Sequence, residues 1–238
     1  MSDSGLGQEM GLVDRGFYRF CWSMLWLALK AWFRFRVVGK EHLPKVEPYI
    51  LAPVHRSYLD TPVGGMATSR RLRFLGKESL WNSRLAGRFL TIVGGFPVER
   101  GTADRAALRA CQEVLERGEP MVMFPEGTRQ HGPVVDPDLM HAGPAFVAAR
   151  AGVPIVPLGI AGTDHAMPGG SMLIRPVRVV MVVGEPIRPP EVDGRIPRRM
   201  VDELTERLRV GLQGCFDEAQ RLAGRPALPV PETGASDD

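Results

Sequence analysis

After Gly39 the chain breaks into short apolar runs punctuated by glycine and proline, at residues 49–54, 72–75, 121–124, 155–160 and 177–183. Runs of this length and composition read as strands. The stretches between them carry helical spacing instead. In residues 102–117, Ala106, Leu108, Cys111, Val114 and Leu115 recur on one face, residues 143–151 form a second candidate, and Val201, Leu204, Leu208, Leu212 and Cys215 predict a long helix over residues 198–222. Strands that alternate with helices require a sheet covered on both faces. The predicted fold is α/β, a mixed sheet flanked by helices, with the domain over residues 39–223. The Pro-, Gly- and Ala-rich remainder, residues 224–238, is expected to be a disordered tail.

Residues 1–38 read differently, as a tail followed by an amphipathic membrane-interface helix. Trp22, Trp26 and Trp32, three of the four tryptophans, lie among Leu, Phe and Met beside repeated cations. Wound at 3.6 residues per turn, Arg15, Arg19, Ser23, Lys30 and Arg34 share one side, and Phe17, Cys21, Met24, Ala28, Trp32 and Phe35 the other. Trp26 falls on the polar side. Such a helix suits the headgroup plane of an anionic membrane surface, although a core-packing helix with a solvated face has a similar pattern. The apolar stretch at residues 20–29 is half the ~20 residues of a spanning helix, and acidic residues precede it, so neither a membrane crossing nor a signal peptide is expected.

Composition narrows the function classes. The net charge of +3 on 238 residues is no nucleic-acid-binding composition. Three cysteines, widely spaced and without a CxxC pair, argue against a disulfide framework or structural zinc and fit a reducing cytoplasm.

The chemistry concentrates at strand exits. In Ala52-Pro53-Val54-His55-Arg56-Ser57-Tyr58-Leu59-Asp60, a turn can fold the carboxylate back onto the imidazole, and Pro62 predicts a helix opening near Asp60. A carboxylate that fixes the tautomer makes histidine a general base, although an isolated His/Asp pair also occurs as a structural hydrogen bond. No GxSxG elbow surrounds any serine and no motif histidine accompanies Cys111 or Cys215, so the attacking hydroxyl is expected to be the substrate's own. A second element, Phe124-Pro125-Glu126-Gly127-Thr128-Arg129, offers a glycine for close backbone approach, a glutamate to accept from a substrate hydroxyl and an arginine fork for phosphate. A third, Phe96-Pro97-Val98-Glu99-Arg100-Gly101, delivers another arginine at a glycine-flanked turn. His131, His141 and His165 lack ligand spacing and read as loop histidines.

Together these elements resemble the lysophosphatidate (1-acylglycerol-3-phosphate) acyltransferase family of glycerolipid acyltransferases, over residues 37–187. His55 and Asp60 match its first motif, Phe96 to Arg100 its second, Phe124 to Arg129 its third, Val153-Pro154-Ile155-Val156-Pro157 its fourth, and Gly76-Lys77-Glu78 a basic element before the second. The resemblance implies catalysis by His55 and Asp60 and substrate binding by Lys77, Arg100, Glu126, Gly127, Thr128 and Arg129. It further implies no metal or cofactor, an acyl-CoA or acyl carrier protein thioester as donor, and 1-acylglycerol 3-phosphate as acceptor, on the cytoplasmic face of the membrane as a peripheral or monotopic protein. Another lysophospholipid or glycerol 3-phosphate remains open as acceptor, as does a non-catalytic lipid-phosphate-binding role. Glu99 stands where a smaller residue is usual, and the segment before Gly143 lacks a lysine common there.

Overall fold

The computed structural model describes residues 11–98, 104–168, 173–192 and 194–225. Among these residues, seven strands form one sheet: β1 (Arg36–Val38), β2 (Ile50–Pro53), β3 (Arg73–Lys77), β4 (Gly95–Val98), β5 (Met121–Val122), β6 (Ile155–Ala161) and β7 (Val180–Val183). Their order is β1-β7-β6-β2-β5-β3-β4. Every pairing is parallel except β6 with β7, so the sheet is mixed. All four residues of β2 and all seven of β6 are buried, which is why these strands read as continuous apolar runs and not as alternating ones.

Among the described residues, seven α-helices accompany the sheet: α1 (Leu12–Phe33), α2 (Asp60–Gly64), α3 (Arg84–Ile92), α4 (Asp104–Glu116), α5 (Gly143–Ala151), α6 (Thr163–Ala166) and α7 (Arg198–Leu222). Side chains alternate along β2 between two cores. Leu51 packs with Leu29 and Phe33 of α1 and Val63 of α2, whereas Ile50 and Ala52 pack with Cys111 and Val114 of α4, Val147 of α5 and Leu204 and Leu208 of α7. The sheet is thus covered on both faces. At roughly 1.5–3 kcal/mol for each large side chain taken from water, this burial is the main favourable term in folding.

The boundaries of α5 and α7 agree with the sequence expectation, and α2 opens at Asp60 as Pro62 implies. The N-terminal helix differs. It ends at Phe33, where Arg34 turns left-handed with φ 45°, and the following Arg36–Val38 pairs with Val180–Val182 as an edge strand. The sheet therefore begins inside the segment expected to precede the domain, because Val37 and Val38 suit a strand better than another helical turn.

The faces of α1 differ as well. Trp22, Leu25, Trp26, Leu29 and Phe33 point inward, with the Trp22 indole N–H donating to the Thr68 carbonyl at 3.2 Å and Trp26 stacked beside it, ring centroids 6.4 Å apart. Trp26 is an inward residue, and Lys30 sits over its ring at 4.6 Å. Outward, Leu12, Val13, Phe17, Phe20, Met24, Leu27 and Trp32 are exposed. The helix is apolar on two sides, one against the core and one open. No helix among the described residues is long and apolar enough to cross a membrane. Residues 226–238, most of the expected tail, lie outside the described residues.

Candidate active site

The parallel strands β2, β5, β3 and β4 are neighbours, so their carboxyl ends lie along one edge of the sheet. In open α/β sheets that edge is where ligands bind. His55 leaves β2 there. Its backbone is held from both sides, the N–H donating to Glu126 Oε2 at 2.8 Å and the carbonyl accepting from Gln130 N at 2.8 Å. Its ring lies against Phe124, centroids 4.2 Å apart, at the exit of β5.

Asp60 completes the unit. Its carboxylate is fully buried, and Oδ2 accepts from the backbone N–H groups of Arg56 at 2.5 Å and Ser57 at 2.6 Å as well as standing 3.2 Å from His55 Nδ1. Oδ1 accepts from the Thr163 hydroxyl at 2.6 Å. A carboxylate is acceptor-only, so a neutral ring that makes this hydrogen bond has its proton on Nδ1 and its lone pair on Nε2. Among the described residues nothing occupies Nε2.

Behind this pair lies a contact that the sequence does not announce. Arg56 is 6% exposed, and its Nη1 reaches Glu126 Oε1 at 2.7 Å and Oε2 at 2.8 Å, while Nε and Nη2 donate to the carbonyls of Gly132 and Val134. The guanidinium also stacks over Phe216 of α7 at 5.0 Å. Glu126, 1% exposed, has both oxygens taken by Arg56 and His55 N–H. The expectation that Glu126 accepts from a substrate hydroxyl does not fit this geometry: the carboxylate braces the histidine loop from beneath.

The remaining candidates sit outward. Gly127 has φ 65°, and a Cβ there would come within 2.6 Å of the His141 ring, so the turn requires glycine. Thr128 is exposed, its hydroxyl accepting from Gln130 Nε2 at 3.1 Å. Arg129 is exposed and stacks on the Tyr58 ring at 3.5 Å, with no carboxylate paired to it among the described residues. Lys77 ends β3 in register with Val98, two strands from β2 and hence about 10 Å along the edge. Arg100 lies outside the described residues.

Alternative nucleophiles are poorly placed. Ser57 is 3% exposed and its hydroxyl accepts from Leu59 N at 3.3 Å. Burial pushes the Cys111 thiol up to about 12 and the Cys215 thiol to about 11. No cluster of three potential metal-ligating side chains exists among the described residues.

Beside Asp60, an apolar cleft of about 300 Å³ runs beneath α1. Thr61 and Pro62, which follow Asp60 in the chain, line it together with Cys21 and Trp22 of α1, Phe74 of β3 and Phe89 of α3.

The acyltransferase family model matches residues 34–161. The chain is 24% identical over 206 residues to the 1-acyl-sn-glycerol-3-phosphate acyltransferase of Bacillus subtilis, covering 86% of this chain and all of that one. It is 28% identical over 218 residues to the enzyme of that name from Streptococcus pneumoniae, covering 88% and 74%. It is 30% identical over 165 residues to one from Chlamydomonas reinhardtii, covering 66% of this chain and 48% of the relative, about half its length. Among solved structures, the 1-acyl-sn-glycerophosphate acyltransferase PlsC of Thermotoga maritima superposes with a TM-score of 0.65 at 25% identity, over 90% of this chain and 80% of that one. With the His/Asp pair and strands β1 to β6 within the matched region, this chain belongs to the acyltransferase family that includes the 1-acyl-sn-glycerol-3-phosphate acyltransferases.

Proposed function

We propose that this chain transfers a fatty acyl group from a thioester, carried by coenzyme A or acyl carrier protein, to the free hydroxyl of 1-acylglycerol 3-phosphate, yielding phosphatidate. The observation that carries this reading is the fully buried Asp60 carboxylate 3.2 Å from His55 Nδ1, on a ring whose Nε2 has no partner among the described residues. The acceptor hydroxyl gives its proton to Nε2 as its oxygen attacks the thioester carbon. The tetrahedral intermediate then collapses, the C–S bond breaks, and the imidazolium returns the proton to the departing thiolate. Asp60 stabilises the ring while it is charged.

No acyl-enzyme forms, in keeping with the buried Ser57 and with buried thiols that stay protonated at neutral pH. Base catalysis supplies about 10²–10⁴-fold, so positioning must supply much of the rest. Arg129, with Lys77 and Arg100, grips the acceptor phosphate, and Gly127 and Thr128 let the backbone approach it. Glu126 and Arg56 hold the loop that carries His55. The acyl chain lies in the cleft under α1, which Thr61 and Pro62, the two residues after Asp60, help to line. The outward apolar side of α1, with Phe20, Met24 and Leu27, rests on the membrane surface.

The test is acyl transfer by purified His55→Ala, Asp60→Asn and the double variant, with circular dichroism to confirm folding. His55→Ala is expected to abolish transfer while acceptor binding persists. The double variant should be scarcely worse, because an orienting carboxylate has nothing to act on once its base is gone. A folded His55→Ala protein with near wild-type turnover would remove the mechanism.

A further inference from the structure

Thr163 lies beyond the matched region, 103 residues from Asp60, yet its hydroxyl is one of the donors that hold the catalytic carboxylate. β6 pairs with β2 in parallel, Pro53 opposite Leu158, and continues past the point where β2 gives way to the His55 loop. Gly162 then turns the chain with φ 97°, a Cβ there meeting the Arg178 carbonyl at 2.3 Å, and brings Thr163 over Asp60. Thr163 is 1% exposed and its Oγ1 lies 2.6 Å from Oδ1.

The donors are unevenly shared. Oδ2 serves Arg56 N, Ser57 N and His55 Nδ1, the last being the longest at 3.2 Å. Among the described residues, Thr163 alone serves Oδ1. Rotation of an aspartate carboxylate about its terminal torsion is soft, and donors on a single oxygen leave that rotation weakly held. A donor on the other oxygen fixes the plane. We propose that Thr163 is a positioning residue for the acyl-transfer reaction, which sets the plane of the Asp60 carboxylate and through it the aim of His55 Nε2. This rests on His55 being the base.

Thr163→Val keeps the shape of the side chain and deletes the hydroxyl, whereas Thr163→Ser keeps the hydroxyl and deletes the methyl. The valine variant is expected to lose about 10- to 100-fold in kcat, the equivalent of one hydrogen bond to a charged group. KM for donor and acceptor should stay within about twofold, since neither substrate is touched. Serine should restore kcat to within about threefold. In an Asp60→Asn background Thr163→Val should add little, because the two act as one unit. A purely structural threonine predicts the reverse: loss in proportion to unfolding, and no rescue by serine.

The proposal falls if Thr163→Val turns over like wild type, if serine is as damaging as valine, or if the valine loss adds in full to that of Asp60→Asn. The His55 Nδ1 proton, followed by NMR in the unliganded protein, gives a readout independent of turnover. Its resonance should move in Thr163→Val and return in Thr163→Ser. A resonance indifferent to both variants overturns the positioning role, whereas a wild-type protein that transfers no acyl group overturns only the assignment of the reaction.

Discussion

At the scale of single residues, the site divides into what a short stretch of sequence can reveal and what it cannot. His55 and Asp60 are five positions apart, so one turn joins them, and their contact is legible from the motif alone. Arg56 and Glu126 are 70 positions apart and meet only because β2 and β5 are neighbours; Thr163 depends in the same way on β2 and β6. No local pattern reveals strand order, so Glu126 reads from sequence as a substrate contact when it is a brace. Removing one partner of a buried ion pair leaves an uncompensated charge, and Arg56→Met or Glu126→Leu alone should cost about 3–5 kcal/mol by denaturant unfolding. The double substitution should recover most of that stability. It should not recover turnover, because the His55 N–H loses its acceptor; full return of both would reduce the pair to a structural role. Arg129 is the outward counterpart. With its guanidinium stacked on Tyr58 and free of carboxylates among the described residues, Arg129→Ala should lower acceptor kcat/KM about 10- to 100-fold and leave donor use nearly unchanged. Equal loss with both substrates would exclude a phosphate clamp.

At the scale of elements, strong periodicity was legible and weak periodicity was not. α7 buries Val201, Leu204, Leu208, Leu212, Cys215, Phe216 and Ala219, a stripe long enough to set both helix ends, and α5 is closed by Gly152 in the left-handed conformation. α3 and β4 are absent from the sequence reading. α3 buries only Gly87 fully, and β4 is a four-residue strand containing Pro97, tolerated because β4 lies at the sheet edge. The inward face of α1 is not legible in the sequence, because a helix apolar on two sides has no single stripe to find. One consequence concerns Cys21. Cys111 and Cys215 are buried and stay protonated across the physiological range, whereas Cys21 is half-buried and lines the cleft. Maleimide treatment near pH 7 should therefore modify Cys21 first, as read by peptide mass spectrometry. Cys21→Trp should cut turnover of long-chain donors about tenfold, in line with the roughly 1–3 kcal/mol cost of overpacking, and spare short-chain donors. Equal loss for all chain lengths would show that the acyl chain lies elsewhere.

At the scale of the whole molecule, the cleft and the apolar surface are parts of one arrangement. α1 lies beside α3, with Asp14 and Arg88 3.6 Å apart, and α3 exposes Leu85 and Phe89. Phe89 is both exposed and part of the cleft wall. If this surface meets a bilayer, as proposed, an acyl chain could pass along Phe89 into the cleft, which Thr61 and Pro62 also line. Deleting residues 1–36 is a poor test of the membrane contact, because Leu29 and Phe33 belong to the core and the loss would expose it. Phe20 and Leu27, 62% and 58% exposed, are better targets. Phe20→Glu with Leu27→Glu should leave the thermal transition in place, since neither side chain packs inward. It should weaken sedimentation with anionic vesicles about a hundredfold or more, given about 1.5–3 kcal/mol for each buried side chain and tenfold per 1.4 kcal/mol. Turnover of acceptor presented in vesicles should fall in parallel, and turnover of a short-chain, water-soluble acceptor should not. Unaltered sedimentation would show that this side of α1 does not meet the membrane. A matching loss with the soluble acceptor would show that it serves the site directly.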